Sequence, residues 1–242
     1  MLKQLFYNSL ASKHMAYSLK RLRDMERKLI SKEMRFAVPF AFRGKGYFRI
    51  IEPRQNPYEI EALYKRVCEL NPRRVLEIGT ARGGTLYLWA QAAAEDATLV
   101  SVDLPGGDFG GAYPQARVPF YQAFAREQQH MHLLREDSHQ TTTLEQVTSL
   151  FGEHEIDFAF IDGDHTYEGV KQDFEMYGPL VRPGGIIGFH DIVDRPDVPG
   201  LEVNRFWDEI KQKYEAYEFI GPDGSGKQIG IGIVVVGSEG VS

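Results

Sequence analysis

The chain has 242 residues, 43% apolar and 26% charged, a balance that suits a soluble globular protein with a proper core. Its single cysteine, Cys68, excludes an internal disulfide and suits a reducing compartment. The formal charge of −6 is unevenly spread: residues 1–55 carry 13 Lys/Arg against 4 Asp/Glu, and residues 56–242 carry 15 against 30, so the main body would repel a nucleic-acid backbone.

In chain order, residues 1–35 contain neither Gly nor Pro, and Leu19, Leu22, Met25 and Leu29 form an apolar stripe at helical spacing. This basic segment is expected to be helical and to pack on the body or on a second copy, which makes it the expected surface for self-association, with a membrane-surface or nucleic-acid-binding arm as the alternative. A connector with Gly44, Gly46, Pro53 and Pro57 follows, so residues 1–55 read as an extension and 56–242 as the main domain. No apolar run approaches the roughly 20 residues that span a bilayer. The N-terminus also lacks a continuous apolar signal core, and the cytoplasm is the expected location.

From residue 58 the pattern becomes regular. "YEIEALYKRVCEL" predicts a helix with Cys68 as a buried structural thiol, "RRVLEIG" a buried strand, "GGTLYLWAQAAAE" a helix and "ATLVSVDL" a strand. A glycine-rich loop leads to a helix over "FYQAFAREQ", then to the strand "MHLLRED", the helix "TTLEQVTSLFG" and the strand "IDFAFIDG". "TYEGVKQDFEMYGPLV" predicts a helix, "GGIIGFHDI" a strand and "GLEVNRFWDEIKQKY" a helix. "YEFIG" and "IGIGIVVVG" close the chain as a hairpin. Apolar strands alternating with helices imply an α/β fold with a mostly parallel sheet covered on both faces. Ligands of such sheets sit beyond the carboxyl ends of the strands, so polar clusters at those ends are the functional candidates.

Three clusters fall there. "VLEIGTARGGT" ends a strand in Glu77-Ile78-Gly79 and enters a helix through glycines. The spacing of Gly79, Gly83 and Gly84 is not G-x-G-x-x-G, so the dinucleotide fingerprint fails. A carboxylate at Glu77 would repel a pyrophosphate but suits a cationic ligand; a plain strand-to-helix turn is the alternative. Asp103 ends the next strand, where an acidic side chain can accept from ribose hydroxyls. Asp137 and Ser138 end the third, placed either for an adenine edge or as a cap for the following helix.

Taken in order, these motifs resemble the class I S-adenosylmethionine-dependent methyltransferases over roughly residues 58–238. The resemblance implies a Rossmann-like three-layer sandwich, with a seven-stranded sheet whose last strand is antiparallel. It implies S-adenosylmethionine as cofactor, held by Glu77, Gly79, Thr80, Gly83, Thr85, Asp103, Asp137, Ser138 and Asp162. "DFAFIDGDHTYEGVKQDFEMYGPLVRPGGIIGFHDI" and "VNRFWDEIK" further resemble a small-molecule O-methyltransferase branch that includes macrolide-sugar and cephamycin-pathway enzymes and, more distantly, catechol-type enzymes.

What that branch implies is O-methylation of a sugar, diol or phenolic hydroxyl, assisted by a divalent cation such as Mg²⁺ or Mn²⁺. Asp162, His190 and Asp191 match its metal ligands, and His165 matches its general base. His190 departs from the pattern, because imidazole is a poor Mg²⁺ ligand and would favour a softer ion or no ion. Segment 105–124, with Phe109, Tyr113, Phe120, Tyr121 and Phe124, is expected to be a lid. Three alternatives stand beside this reading: an NAD(P)-dependent Rossmann oxidoreductase, disfavoured by the failed fingerprint and the closing hairpin; a non-catalytic cofactor-binding relative; and a methyltransferase whose macromolecular substrate is recruited by the basic N-terminal segment. No nucleic-acid partner and no membrane span are expected.

Overall fold

The computed structural model describes residues 51–106 and 113–241. The first helix, α1 (Pro57–Leu70), begins where the sequence supplies every start signal. Asn56 is the N-cap, Pro57 stands in the first turn, and Glu59 completes a capping box with the Asn56 backbone. The helix stops at Asn71, whose left-handed backbone turns the chain into the first strand.

Thereafter strands and helices alternate: β1 (Arg74–Ile78), α2 (Gly84–Ala92), β2 (Thr98–Val102), α3 (Val118–Gln122), β3 (His130–Leu134), α4 (Thr141–Phe151), β4 (Ile156–Ile161) and α5 (Tyr167–Tyr177). The strand β5 (Val181–His190) and helix α6 (Val203–Ile210) precede the hairpin β6 (Glu215–Pro222) and β7 (Gln228–Val235). The seven strands form one sheet in the order β3-β2-β1-β4-β5-β7-β6. β1 to β5 pair in parallel, and β7 runs antiparallel between β5 and β6. The expected seven-stranded sheet with an antiparallel closure is the observed one.

Period-two alternation divides the strand side chains between two cores. Val75, Leu99, Phe158 and Phe160 face the layer of α1, α2 and α3, where Trp89 packs edge-on to both phenylalanines at 4.9 and 5.2 Å. Leu76, Val100, Ala159 and Ile161 face the layer of α4, α5 and α6, with Phe174, Phe206 and Trp207. Because both faces are covered, the strands read as continuous apolar runs.

Three expectations are corrected. Helix α3 ends at Gln122 rather than continuing through residue 128. Tyr113, Phe120, Tyr121 and Phe124 are fully buried against one another and against Tyr87, so they form core and not the apolar face of a lid. Cys68 is only partly buried, at the margin of the first core. Phe109 and the basic N-terminal segment fall outside the described residues.

Candidate active site

The strand order reverses between β1 and β4, and the chain leaves the sheet in opposite directions on the two sides of that line. A cavity of about 570 Å³ opens there, across the carboxyl ends of β1 to β5. It is lined by Gly79, Asp103, Asp137, Ser138, Asp162, His165, His190 and Asp191 among others. An adjoining smaller pocket is lined by Thr80, Arg82, Thr85 and Gln55. Glu77 and Gly83 line neither.

The glycine-rich turn after β1 is held from three sides. Gly79 has φ +94° and donates its N–H to Val102 O at 2.8 Å. A Cβ on Gly79 would stand 2.0 Å from the backbone oxygen of Asp162, so only glycine lets the two chain segments approach. The Asp103 carboxylate accepts the Ala81 N–H at 2.5 Å, which ties the turn to the end of β2. Beneath the turn, Ser101 Oγ donates to Glu77 at 2.8 Å and lies 2.5 Å from Thr80 Oγ1. Glu77 is wholly buried there, and desolvation pushes its carboxyl up to about 8, against the pull of the Thr85 and Ser101 hydroxyls.

At the ends of β4 and β5 stand the acidic and imidazole groups. His165 Nδ1 lies 2.9 Å from Asp191 Oδ2, and its Nε2 lies 3.8 Å from Asp162 Oδ1. Burial opposes a charge on His165, but the Asp191 hydrogen bond and the two carboxylates outweigh it and raise its pKa. Asp191 holds φ +60°, a left-handed backbone uncommon for a residue with a side chain and typical of constrained sites. Burial pushes its carboxyl up, yet His190 and His165 together hold it well below the usual range.

His190 is almost fully buried. Its Nδ1 is 3.2 Å from Asp162 Oδ1 and 3.4 Å from Asp191 Oδ2, and its Nε2 is 3.3 Å from Glu59 Oε1. Burial disfavours its charge, and the Asp191 and Asp162 carboxylates more than reverse that. Among the described residues, ligating atoms of Asp162, His165 and Asp191 all lie within 4.8 Å of one another. His165, expected as the general base, stands in that group, and His190, expected as a ligand, places its Nδ1 3.2 and 3.4 Å from the same two carboxylates. Two carboxylates and one imidazole form a donor set suited to Mn²⁺, Fe²⁺ or Zn²⁺.

Several neighbours escape the sequence patterns. Gln55 Nε2 donates to Asp162 Oδ2 at 2.7 Å, across a separation of 107 residues. Arg54 lines both pockets, and buried Glu59 contacts His190 from α1. The capping box around Glu59 was readable, but its approach to β5 was not. Asp164 and Thr166 serve the turn into α5, accepting the N–H groups of Thr166 and Gly169 at 2.8 and 3.0 Å. Glu168 is exposed.

Comparison with known proteins gives a consistent picture. Residues 76–192 match the family Methyltransf_24, described as a methyltransferase domain. A stretch of 150 residues, 60% of this chain, is 29% identical to the uncharacterised protein y4gI of Sinorhizobium fredii, and that match spans only 16% of the relative's length. Among solved structures, an O-methyltransferase from Bacillus cereus in complex with SAH superposes with a TM-score of 0.56 at 21% identity, covering 76% of this chain and 84% of that one. The O-methyltransferase TomG from Streptomyces achromogenes, involved in tomaymycin synthesis and in complex with SAM, superposes with a TM-score of 0.58 at 20% identity, covering 83% and 90%. Among the described residues, no helix is long and apolar enough to cross a membrane.

Proposed function

We propose that this chain, whose residues 76–192 match a methyltransferase-domain family and whose fold is shared with solved O-methyltransferases, is an S-adenosylmethionine-dependent O-methyltransferase acting on a hydroxyl of a small molecule. The observation that carries the reading is the group of Asp162, His165 and Asp191 at the strand switch point, beside the glycine-rich turn. The cavity is within the roughly 300–1,000 Å³ usual for small-ligand sites. When bound, S-adenosylmethionine supplies an electrophilic methyl group on a sulfonium that departs as a neutral thioether.

The chain's own residues prepare the hydroxyl. With its proton on Nδ1, His165 donates to Asp191 and carries its lone pair on Nε2, the nitrogen on the Asp162 side. Nε2 takes the hydroxyl proton as the acceptor oxygen bonds to the methyl carbon, and Asp191 steadies the imidazolium that results. Asp103 is assigned to the ribose hydroxyls, and Asp137 with Ser138 to the adenine edge. Gly79, Thr80, Gly83 and Thr85 belong to the turn that carries the amino-acid end, and Glu77 supports that turn from below.

The experiment is transfer of a labelled methyl group from S-adenosylmethionine to a panel of vicinal diols and catechols. His165→Ala is expected to lower kcat by about 10²–10⁴-fold; a loss of only a few fold would leave His165 structural. Tight binding of NAD(P)H without binding of S-adenosylmethionine would overturn the whole reading.

The grouped donor atoms favour a second form of the same proposal, in which Asp162, His165 and Asp191 hold a divalent cation. Such an ion would lower the pKa of a coordinated substrate hydroxyl. A histidine cannot both hold the ion and accept the proton, so chelation separates the two forms. Undiminished turnover in EDTA removes the ion from the mechanism, whereas loss of turnover restored by Mn²⁺ requires it, and Mn²⁺ binding by His165→Ala then decides whether His165 is among the ligands.

A further inference from the structure

At the β3 end of the cavity, one pair of side chains has no part in the chemistry above. Asp173 on α5 is a carboxylate with no exposure to solvent. The imidazole of His139 stands against it, Nε2 lying 3.3 Å from Asp173 Oδ1 and 3.2 Å from Gly169 O. His139 also lines the cavity, next to Asp137 and Ser138. Burial pushes the Asp173 carboxyl above the usual carboxylate range and the His139 imidazole pulls it back, so this pair is retained against a desolvation penalty.

The pair binds a loop to a helix. Asp137 Oδ1 accepts the His139 N–H at 2.9 Å and lies 4.0 Å from His139 Nδ1. Tyr177, also on α5, donates its hydroxyl to Ser138 O at 2.7 Å. The backbone and side chain of residues 137–139 are therefore located by α5, and through them the carboxylate at the nucleoside end.

We propose that His139 is a positioning residue for the cofactor's nucleoside: clamped to buried Asp173, it fixes the Asp137 carboxylate at the mouth of the β3 end. The inference rests on the methyltransferase reading of this cavity. The groups that face the imidazole are Asp137 from its own loop and Asp173 and Gly169 O from α5, while Asp164 from the β4–α5 turn adds negative charge around Asp173. The Asp173 hydrogen bond is the largest influence and lifts the His139 pKa to about 9, against partial desolvation. The sign follows: the protonated clamp is complete at neutral pH and is lost as pH rises through about 9.

The test uses two probes in isothermal titration calorimetry, S-adenosylhomocysteine and 5′-methylthioadenosine. The second keeps the nucleoside and lacks the amino-acid end, including the α-amino group that titrates in the same range. His139→Gln is expected to raise Kd for both probes about tenfold. For 5′-methylthioadenosine, the wild-type Kd should be level from pH 6.5 to 8 and climb above about 9, whereas H139Q should be flat. A purely packing role for His139 would not move that profile.

Wild-type affinity in H139Q, weakening of S-adenosylhomocysteine alone, or a flat wild-type profile each overturns the proposal. If H139Q leaves the buried carboxylate unpaired and does not fold, the double variant H139Q/D173N removes both charges and carries the same expectations. Wild-type protein that binds neither probe overturns the methyltransferase reading itself. Wild-type protein that binds both, with variants that bind equally well, overturns only the clamp.

Discussion

Glu77 was expected to face a cationic ligand, yet the carboxylate is buried under the glycine-rich turn and lines neither pocket. Its hydrogen bond from Ser101 shows a supporting role, and its pKa of about 8 means that the folded protein holds a proton there at neutral pH. An unfolded glutamate releases that proton near 4.5. The stabilising contribution of the proton is therefore complete below about 4.5 and is lost as pH rises towards about 8. Glu77→Gln, which resembles the protonated form, should shift Tm in the variant's favour progressively from pH 5 to pH 8. A Tm difference that stays constant across that range would show that Glu77 ionises normally in the fold.

Between elements, two glycines carry demands that no side chain meets. At the β1–α2 turn, Gly79→Ala meets both a backbone oxygen 2.0 Å away and a positive φ, so a loss of about 3 kcal/mol or more is expected. Denaturant unfolding would measure it, and a loss under about 1 kcal/mol would mean that the β4 end shifts freely. On β7, Gly232 accommodates the Trp207 ring, whose carbons would lie 2.6 Å from an added Cβ. Gly232→Val should therefore displace α6 from the sheet and expose the indole, visible as a red shift in tryptophan emission. An emission maximum like that of the wild type would sink this account of how α6 is seated. The helix and strand types were legible because apolar period and glycine placement are local. The boundaries of α3 and α6 were not, because Pro119 and packing, rather than apolar spacing, decide where those helices begin and end.

For the whole molecule, a ligand that binds only the folded state must raise its stability by mass action. At one hundred times its Kd, S-adenosylhomocysteine should contribute about 2.7 kcal/mol, or roughly 5–10 °C in Tm for a chain of this size. Calorimetric scans at increasing ligand test this, and an unchanged Tm at saturating concentrations would contradict a cofactor site in the cavity. The sequence by itself determined the alternation of elements and the closing hairpin, which are written in short-range patterns, and through its resemblance to a family it offered Asp162, His165, His190 and Asp191 as strand-end candidates. Only the tertiary structure decided that His165 and His190 both stand against the two carboxylates, that Gln55 and Glu59 reach the site, and that His139 stands on Asp173. Those contacts join residues as far apart as 131 positions. Strand register and helix docking bring them together, and no local pattern records either.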